Sequence, residues 1–372
     1  MINFILAVFL LYFILMIFLL IGWRKTYNKS SSNEPKDFPF FTVLVPMRNE
    51  ANQIINLLNS LAVQDYPTDR FEVIIINDHS DDESLTYCEQ WIMSEEKKSF
   101  RVVSLGASSF GKKAALTEGI ENAQGEWILT TDADCIVPST WISATAEAIN
   151  NDVHLISGPV KLIAVSSHFA SLQIMDFATL VGVGASTLGW GIPTMCNGAN
   201  LAYRKKSFIK VRGYQGNDQI ASGDDEFLMN KINSHFPFAV RFNANQNAIV
   251  LATACESVQD FFQQRIRWAG KWRAHGFTAS SALAIFIFFF HATVMSLVPL
   301  VWMGVLSIQA ASILFLVKLI LEAIFLSRIL YLLKIRFNPI AFLSLQFCYS
   351  FYVIFFGLAA NLLRAKWKQR KI

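Results

Sequence analysis

The hydrophobic positions of this chain are concentrated at its two ends. Residues 4–21 are almost wholly apolar and are followed by Gly22-Trp23-Arg24-Lys25, and several long apolar runs fill the last part of the chain. The first run has about 18 residues, which is at the lower edge of the length that spans a bilayer. It lacks a basic start and a small-residue cleavage site, so a retained membrane anchor is favoured over a signal peptide.

The middle of the chain has a different pattern, in which short apolar runs alternate with stretches of helical spacing. This alternation is typical of βαβ units, which build a mostly parallel sheet. Such a sheet binds its ligands beyond the carboxyl ends of the strands. The predicted strands are 41–46, 71–76, 101–105, 127–131 and 154–157, and the predicted helices are 50–64, 82–97, 112–123 and 139–150.

Three polar clusters follow predicted strands at that edge of the sheet: Arg48-Asn49-Glu50, residues 77–82, and Asp132-Ala133-Asp134. Asp132 and Asp134 stand where a buried strand ends, so their carboxylates can converge at the turn. Two converging carboxylates offer hard oxygen ligands to Mg²⁺ or Mn²⁺, and such a metal usually holds a phosphate as well. Taken alone, two solvated acids at a strand end explain the pattern equally well.

A two-faced helix is predicted at residues 257–273, with Gln264, Arg267 and Trp268 on its polar side. Such a helix can lie at a membrane surface. Three apolar runs follow it, at residues 282–302, 304–326 and 339–363.

The middle one of these three runs carries Lys318 and Glu322, which are four residues apart and can form an ion pair. Charged side chains within a membrane are costly, so a pair or a polar cavity is expected there.

Composition supports a membrane protein. Of the 372 residues 53% are hydrophobic, and the mean hydropathy is +0.38, which is too apolar for one soluble domain. The net charge of +4 comes largely from basic residues beside the apolar runs, at Arg24-Lys25 and at 364–371. These are interpreted as membrane anchors, and no nucleic-acid partner is expected. The five cysteines form no CxxC pair, so neither a disulfide framework nor a zinc site is expected.

The basic residues also predict an orientation. Arg24 and Lys25 place the end of the first apolar run, and hence the middle of the chain, in the cytoplasm. Three further spans would then put the C-terminus outside, whereas the basic stretch 364–371 favours the inside. Either one apolar run lies in the membrane interface or the number of spans differs.

A set of motifs occurs in a fixed order along the chain. The motifs are Pro46-Met47-Arg48-Asn49-Glu50, Asn77-Asp78-His79-Ser80, Gly111-Lys112-Lys113-Ala114-Ala115-Leu116, Asp132-Ala133-Asp134, Asp224-Asp225 and Gln264-Arg265-Ile266-Arg267-Trp268. This ordered set, which ends in QxxRW just before a hydrophobic block, resembles the membrane-bound family 2 glycosyltransferases, a group that includes the cellulose, chitin and hyaluronan synthases and the ceramide glucosyltransferases. The resemblance covers about residues 41–273 and the membrane flanks.

The resemblance implies an α/β GT-A fold, which is Rossmann-like with a mostly parallel sheet, and inverting transfer from a nucleotide-diphosphate sugar, with UDP the first choice. It implies a Mg²⁺ or Mn²⁺ ion bound by Asp134 and Asp132. The residues implied to bind the nucleotide sugar are Pro46, Glu50, Asn77, Asp78, Lys112 and Asp132. The residues implied to take part in catalysis are Asp225, Asp224, Arg267, Trp268 and Gln264, with Asp225 as the general base.

Two motifs depart from the family pattern. His79 stands where the family has glycine, and a solvent-facing turn residue is favoured over a donor contact. Asp224-Asp225 precedes Glu226, so the general base could be displaced by one residue, with Asp225 the first choice.

The sequence therefore predicts an enzyme of an integral membrane, such as a bacterial inner membrane, with a cytoplasmic catalytic domain. A lipid acceptor is favoured because three C-terminal spans are few for a polymer channel, and a processive polysaccharide synthase is the alternative. A non-catalytic nucleotide-sugar-binding protein is a weaker one. The predicted domains are an anchor (1–25), a linker (26–39), the glycosyltransferase domain (40–256), the interface helix (257–275) and a transmembrane region (276–372).

Overall fold

In the computed structural model the chain forms two compact units. An α/β unit comprises Thr26–Ile163 and Gly191–Thr253, and a helical unit comprises Met1–Lys25, Ala164–Trp190 and Ala254–Ile372. The structure describes residues 1–29, 38–95, 98–217, 223–270, 278–362, 366–367 and 370–371. Most of the predicted linker, the end of the predicted interface helix and half of the basic C-terminal stretch lie outside the described residues, at 30–37, 271–275, 364–365 and 368–369.

The α/β unit is built on a seven-stranded sheet in the order β3-β2-β1-β4-β7-β5-β8. Strands β1, β2, β3 and β4 pair in parallel, whereas β7 runs antiparallel to both β4 and β5. Strands β6 and β9 form a separate parallel pair. The mostly parallel sheet confirms the predicted α/β class. The strands are β1 (Phe41–Met47), β2 (Phe71–Asn77), β3 (Phe100–Ser104), β4 (Trp127–Thr130), β5 (Leu155–Ser157), β6 (Val160–Ile163), β7 (Leu201–Arg204), β8 (Val240–Phe242) and β9 (Val250–Thr253).

Helices cover this sheet. Its central strands are therefore buried, which explains why they are continuous apolar runs in the sequence. All seven residues of β2 are buried. Gly119 favours the close approach of α4 to β1 and β2, because a Cβ there would lie 2.9 Å from side-chain atoms of both Leu44 and Ile76 and would force them to shift. The helices are α2 (Ile54–Ala62), α3 (Ser84–Ser94), α4 (Lys112–Asn122), α5 (Trp141–Ala146), α7 (Lys205–Lys210) and α8 (Asp224–His235).

The helical unit contains six helices in the described part of the chain, together with the short antiparallel pair β10 (Lys366–Trp367) and β11 (Arg370–Lys371). Four of the helices, α1, α6, α10 and α12, are long and apolar enough to cross a membrane. Helix α6 was not predicted from the sequence, and α11 is not among these four. The helices are α1 (Ile2–Lys29), α6 (His168–Leu188), α9 (Val258–Ala269), α10 (Ala279–Trp302), α11 (Ile308–Leu332) and α12 (Pro339–Leu362).

Helix α6 interrupts the α/β unit in sequence but packs with the helical unit, where it contacts α11 and α12. Small residues allow this packing. At Gly182 a Cβ would lie 2.0 Å from Ile329 of α11, so a larger residue would force the Ile329 side chain to move. Small residues at such crossings are how helices approach one another closely in membranes.

A buried ion pair lies inside the helical unit. Lys318 of α11 is 1% exposed, and its Nζ lies 2.8 Å from Glu322 Oε1 and 2.6 Å from Gln346 Oε1 of α12. The hydroxyl of Tyr12 in α1 donates a hydrogen bond to Glu322. The pairing of Lys318 with Glu322 predicted from their spacing is therefore confirmed, and the pair also ties three helices together.

Candidate active site

The lysine at the start of α4 joins two of the predicted acidic motifs. The Nζ atom of Lys112 lies 2.5 Å from Asp132 Oδ1, just beyond the end of β4, and 3.8 Å from Asp224 Oδ2 at the start of α8. Asp132 follows β4 directly, and α4 begins after Gly111, so the parallel topology brings these groups to one edge of the sheet. The lysine of the GKxxAL motif is thus a cation placed between two carboxylates.

The charge of Lys112 is set by these neighbours. Its side chain is 22% exposed, and burial alone would lower the pKa of the ammonium. Asp132 and Asp224 act in the opposite direction and raise the pKa of Lys112 above its ordinary value. The lysine therefore remains protonated throughout the physiological pH range.

The backbone N–H of Gly198 fixes the carboxylate of Asp225. Gly198 donates a hydrogen bond of 3.1 Å to Asp225 Oδ2, while the Glu226 N–H donates one of 2.8 Å to Oδ1. Gly198 is itself held through its carbonyl, which accepts a 2.7 Å hydrogen bond from the hydroxyl of Thr130. A Cβ on Gly198 would lie 3.3 Å from Lys112 Nζ, so Asp225 and Lys112 border the same small space.

Hydrogen bonds from backbone N–H groups restrict the side chains of Asn77 and Asp78 in the turn at the end of β2. Asp78 is 3% exposed, and its Oδ2 accepts a 3.0 Å hydrogen bond from the N–H of Gly111. Gly111 has a φ of +92°, a conformation that favours glycine, and it precedes Lys112 directly. The Oδ1 atom of Asn77 accepts a hydrogen bond of 3.1 Å from the Ser80 N–H. The predicted nucleotide turn is thereby attached to the start of α4.

His79 adopts a left-handed conformation, with a φ of +53°. Its side chain is 31% exposed, its ring stacks on Phe110 with 4.5 Å between ring centroids, and its Nδ1 lies 3.3 Å from Asp78 Oδ1. Because the ring is packed on an aromatic neighbour, it is not simply a solvent-facing turn residue as the sequence favoured. The turn accommodates the histidine without a glycine.

Pro46 and Glu50 lie in and beyond the end of β1. Pro46 is paired in register with Ile76 on the neighbouring strand, one residue before Asn77. The Glu50 N–H donates a 2.7 Å hydrogen bond to the hydroxyl of Ser84 at the start of α3. Both residues therefore belong to the same end of the sheet as Asn77.

The acids of the DxD motif lie at the turn that follows β4. The side chain of Asp132 is 36% exposed, and Asp134 is half-buried. Among the residues that the structure describes, no three Asp, Glu, His or Cys side chains converge on a point that could hold a metal ion. The donor set is nevertheless suitable for Mg²⁺ or Mn²⁺, because two partly exposed carboxylates leave room for phosphate oxygens, and Asp132 already binds a cationic group, the Lys112 ammonium.

The QxxRW residues lie in the helical unit, on α9. Gln264, Arg267 and Trp268 are each half-buried, whereas Arg265 and Ile266 between them are buried. The predicted helix is therefore present, although Val258, the apolar residue at its start, is 68% exposed.

Asn200 is a structural residue of the loop that carries Gly198. It is 2% exposed, and its Nδ2 donates hydrogen bonds of 2.8 Å to the carbonyls of Pro159 and Ala248, while its Oδ1 accepts one of 3.0 Å from Trp141 Nε1. The amide thus joins three segments around the loop, a role that the sequence does not reveal.

We expect Asn200→Asp to lower the free energy of unfolding by roughly 2–4 kcal/mol, because it leaves two buried carbonyls without donors and buries a charge. Thermal unfolding in detergent would measure the change. Asn151→Ala, at an exposed position, is the matched control and is expected to be nearly neutral. An equal effect of the two substitutions would contradict the structural role of Asn200.

Comparison with known proteins agrees with this geometry. Residues 42–212 match the model of glycosyl transferase family 2. The chain is 26% identical over 254 residues to the poly-beta-1,6-N-acetyl-D-glucosamine synthase of Staphylococcus epidermidis, and the match covers 66% of this chain and 58% of that synthase. It is 34% identical over 119 residues to the Staphylococcus aureus poly(ribitol-phosphate) beta-N-acetylglucosaminyltransferase TarS, over 31% of this chain and 20% of TarS.

A solved structure shows the same fold. The mannosyltransferase PcManGT from Pyrobaculum calidifontis, in complex with GDP-Man and Mn²⁺, matches with a TM-score of 0.60 and 18% sequence identity, over 92% of this chain and 99% of that chain. These matches agree with the order of motifs and with the mostly parallel sheet. The chain therefore has the GT-A fold, and its residues 42–212 match glycosyl transferase family 2.

Proposed function

We propose that this chain is an inverting glycosyltransferase that transfers a sugar from a UDP-sugar to an acceptor at a membrane. The observation that carries the proposal is the grouping of Lys112, Asp132, Asp224 and Asp225 at one edge of the sheet of a family 2 domain. Inverting transfer is a single displacement, so it needs one base for the acceptor hydroxyl and positive charge for the departing nucleoside diphosphate. This grouping contains a carboxylate for the first task and a cation for the second.

Asp225 is the base that the geometry favours. Its carboxylate is oriented by two backbone N–H groups, whereas Asp224 faces the ammonium of Lys112 at 3.8 Å. Asp225 takes the proton of the acceptor hydroxyl as that oxygen bonds to the anomeric carbon and the bond to the diphosphate breaks. General-base assistance of this kind contributes about 10²–10⁴-fold to a rate. Asp224 orients Lys112.

Asp132 and Asp134 would hold a Mg²⁺ or Mn²⁺ ion together with the diphosphate of the donor. The ion supplies charge neutralisation for the leaving group when it is bound. These carboxylates would keep the ion at the end of β4, where Asp132 lies 2.5 Å from Lys112. The Mn²⁺ bound to PcManGT supports this choice of metal.

The names of the two relatives support N-acetylglucosamine as the sugar. One relative is a poly-beta-1,6-N-acetyl-D-glucosamine synthase and the other is a beta-N-acetylglucosaminyltransferase. UDP-N-acetylglucosamine is therefore the first donor to test. The match spans only 58% of the length of the synthase, so the activity of the whole synthase is not assigned to this chain.

A saccharide chain and a membrane lipid are the two candidate acceptors. The first is favoured by the relatives, which are named for polymeric products or acceptors. The second is favoured by the small set of four described helices that are long and apolar enough to cross a membrane. In either case we place the α/β unit on the cytoplasmic side, where Arg24 and Lys25 follow the apolar part of α1.

One assay tests the function and the acceptor together. Membranes that contain the chain are incubated with Mn²⁺ and a panel of nucleotide sugars, and the lipid extract and the polymer fraction are examined by mass spectrometry. We expect transfer from a UDP-sugar. A single sugar on a lipid identifies a lipid acceptor, and a ladder of masses identifies a saccharide chain. Neither transfer nor donor hydrolysis with any sugar would overturn the proposal in favour of a protein that only binds nucleotide sugars.

A further inference from the structure

Helix α9, which carries QxxRW, is attached to α6 at its start. Gln173 of α6 donates a hydrogen bond of 2.9 Å to the carbonyl of Cys255, and the Cys255 N–H returns one of 3.0 Å to Gln173 Oε1. Cys255 lies three residues before α9. This two-bond contact fixes where the chain enters the helix.

A second attachment lies one turn further along α6. Asp176 Oδ2 is 2.8 Å from Arg265 Nη2, and the two residues are 5% and 3% exposed. Gln173 and Asp176 are three residues apart and therefore share one face of α6. That face holds both the entry and the middle of α9, so α9 can neither rotate nor slide along α6 without breaking one of these contacts.

The ion pair also supports the tryptophan of QxxRW. The guanidinium of Arg265 lies 4.5 Å from the ring centroid of Trp268 and 4.7 Å from that of Phe261. On α6, Phe177 follows Asp176 and its ring lies 6.2 Å from that of Trp268. Trp268 is thus bordered by a guanidinium that Asp176 fixes and by a ring next to Asp176.

A buried ion pair is a poor device for stability alone. Desolvation of the two charges offsets most of their attraction, and an apolar pair of similar size is often as stable. An ion pair does define the direction and position of its two partners, and the planar guanidinium can stack on an aromatic ring at the same time. Helix α6 therefore defines the position of α9 in addition to packing against it.

We propose that Asp176 and Arg265 are positioning residues that hold Trp268, and with it Gln264 and Arg267, in the arrangement that acceptor transfer requires. This inference rests on the proposed function and on the part in catalysis that the family resemblance implies for Gln264, Arg267 and Trp268. Neither positioning residue belongs to the Gln, Arg and Trp that define the motif, and Asp176 lies on a helix outside it.

The same unit offers a matched control. Lys318 and Glu322 form a second ion pair, in which the lysine is buried and the Glu322 side chain is 19% exposed, and which joins α11 to α12 and to α1. Asp176→Asn and Glu322→Gln each remove one carboxylate charge from an ion pair with a buried cation at constant size. A general loss of packing in the helical unit would affect both variants alike.

The experiment measures four quantities for wild type, Asp176→Asn and Glu322→Gln in detergent with Mn²⁺. They are the Tm, the donor Kd by calorimetry, the rate of transfer to acceptor, and the rate of donor hydrolysis. We expect Asp176→Asn to lower transfer by about 10²-fold, the effect of misplacing a reacting group by about 1 Å. Its donor Kd and hydrolysis should remain, so the ratio of hydrolysis to transfer rises. Glu322→Gln should leave that ratio unchanged.

Arg265→Lys is a second variant that keeps the charge and lacks the planar guanidinium. It should also raise the ratio of hydrolysis to transfer, because an ammonium cannot both pair with Asp176 and stack on Trp268 in the same way. An unchanged ratio in both Asp176→Asn and Arg265→Lys overturns the inference, as does an equal rise in Glu322→Gln. Absence of transfer and hydrolysis in the wild type overturns the proposed function instead, so the two failures are distinguishable.

Discussion

Substitution of Asp225 by asparagine is expected to abolish sugar transfer and to preserve donor binding. The amide keeps the size of the side chain and can still accept one of the two backbone hydrogen bonds, from Gly198 or Glu226. It cannot take a proton from an acceptor hydroxyl. We expect kcat to fall by about 10²–10⁴-fold, the usual contribution of a general base. Transfer rates at saturating donor would measure the loss, and calorimetry would confirm that the donor Kd is retained.

Two neighbouring acids provide the controls for this experiment. Asp224→Asn should weaken the hold on Lys112, and so raise the donor Kd, with a smaller effect on kcat. Glu226→Gln changes the third acid in the first turn of α8 and should have the smallest effect of the three. Near wild-type turnover in Asp225→Asn, together with a large loss of turnover in Asp224→Asn, would show that the general base is Asp224 and not Asp225.

The second large effect is expected at the metal. Asp134→Ala should remove the dependence of donor binding on Mn²⁺, so that the donor Kd no longer improves when the ion is added. Loss of a partner of a metal ligand already costs about 10–100-fold in metal affinity, and loss of a ligand should cost at least as much. Calorimetric titrations of the donor with and without Mn²⁺ would measure the difference.

Lys112 supplies a complementary test of the same site. Lys112→Met removes the ammonium that lies 2.5 Å from Asp132, so Asp132 would bind a metal without a competing cation, while the diphosphate loses a cation. We expect weaker donor binding that is partly restored by raised Mn²⁺. Lys210→Met, a substitution of an exposed lysine of α7, is the matched control.

Donor binding by Asp134→Ala that still responds fully to Mn²⁺ would show that the ion binds elsewhere.

Much of the α/β unit could be predicted because its strands are strongly apolar and its helices are well separated. Strand β2 was expected at 71–76 and extends over Phe71–Asn77, and α4 was expected at 112–123 and extends over Lys112–Asn122. The predicted polar clusters follow β1, β2 and β4. Because these strands are parallel, their carboxyl ends, and with them the clusters, lie at one edge of the sheet.

The contacts within the site could not be predicted in the same way. Lys112 and Asp132 are 20 residues apart in the chain. Asp225 accepts a hydrogen bond from the N–H of Gly198, and a backbone contact of this kind cannot be recognised from residue types. The structure makes these contacts through the pairing of β4 with β7, which brings the Gly198 loop beside Thr130. Only the order of the motifs indicated that these residues work together.

Helix α6 was missed because its composition is ambiguous. It is less apolar than α1, and it contains Gln173 and Asp176 within an otherwise apolar segment. It is also more buried than the other long apolar helices, so both polar and apolar residues face neighbours. A helix of this kind shows neither a clear amphipathic period nor a continuous apolar run.

The position of α6 in the chain has a practical consequence for protein production. A fragment that begins after α1 and stops at Thr253 would leave out α9 to α12 and still contain α6. The apolar surface of α6 would then lose α11 and α12, which contact it, and exposed apolar patches promote aggregation. We therefore expect a soluble form of the α/β unit to need replacement of residues 164–190 by a polar connection, in addition to removal of both ends.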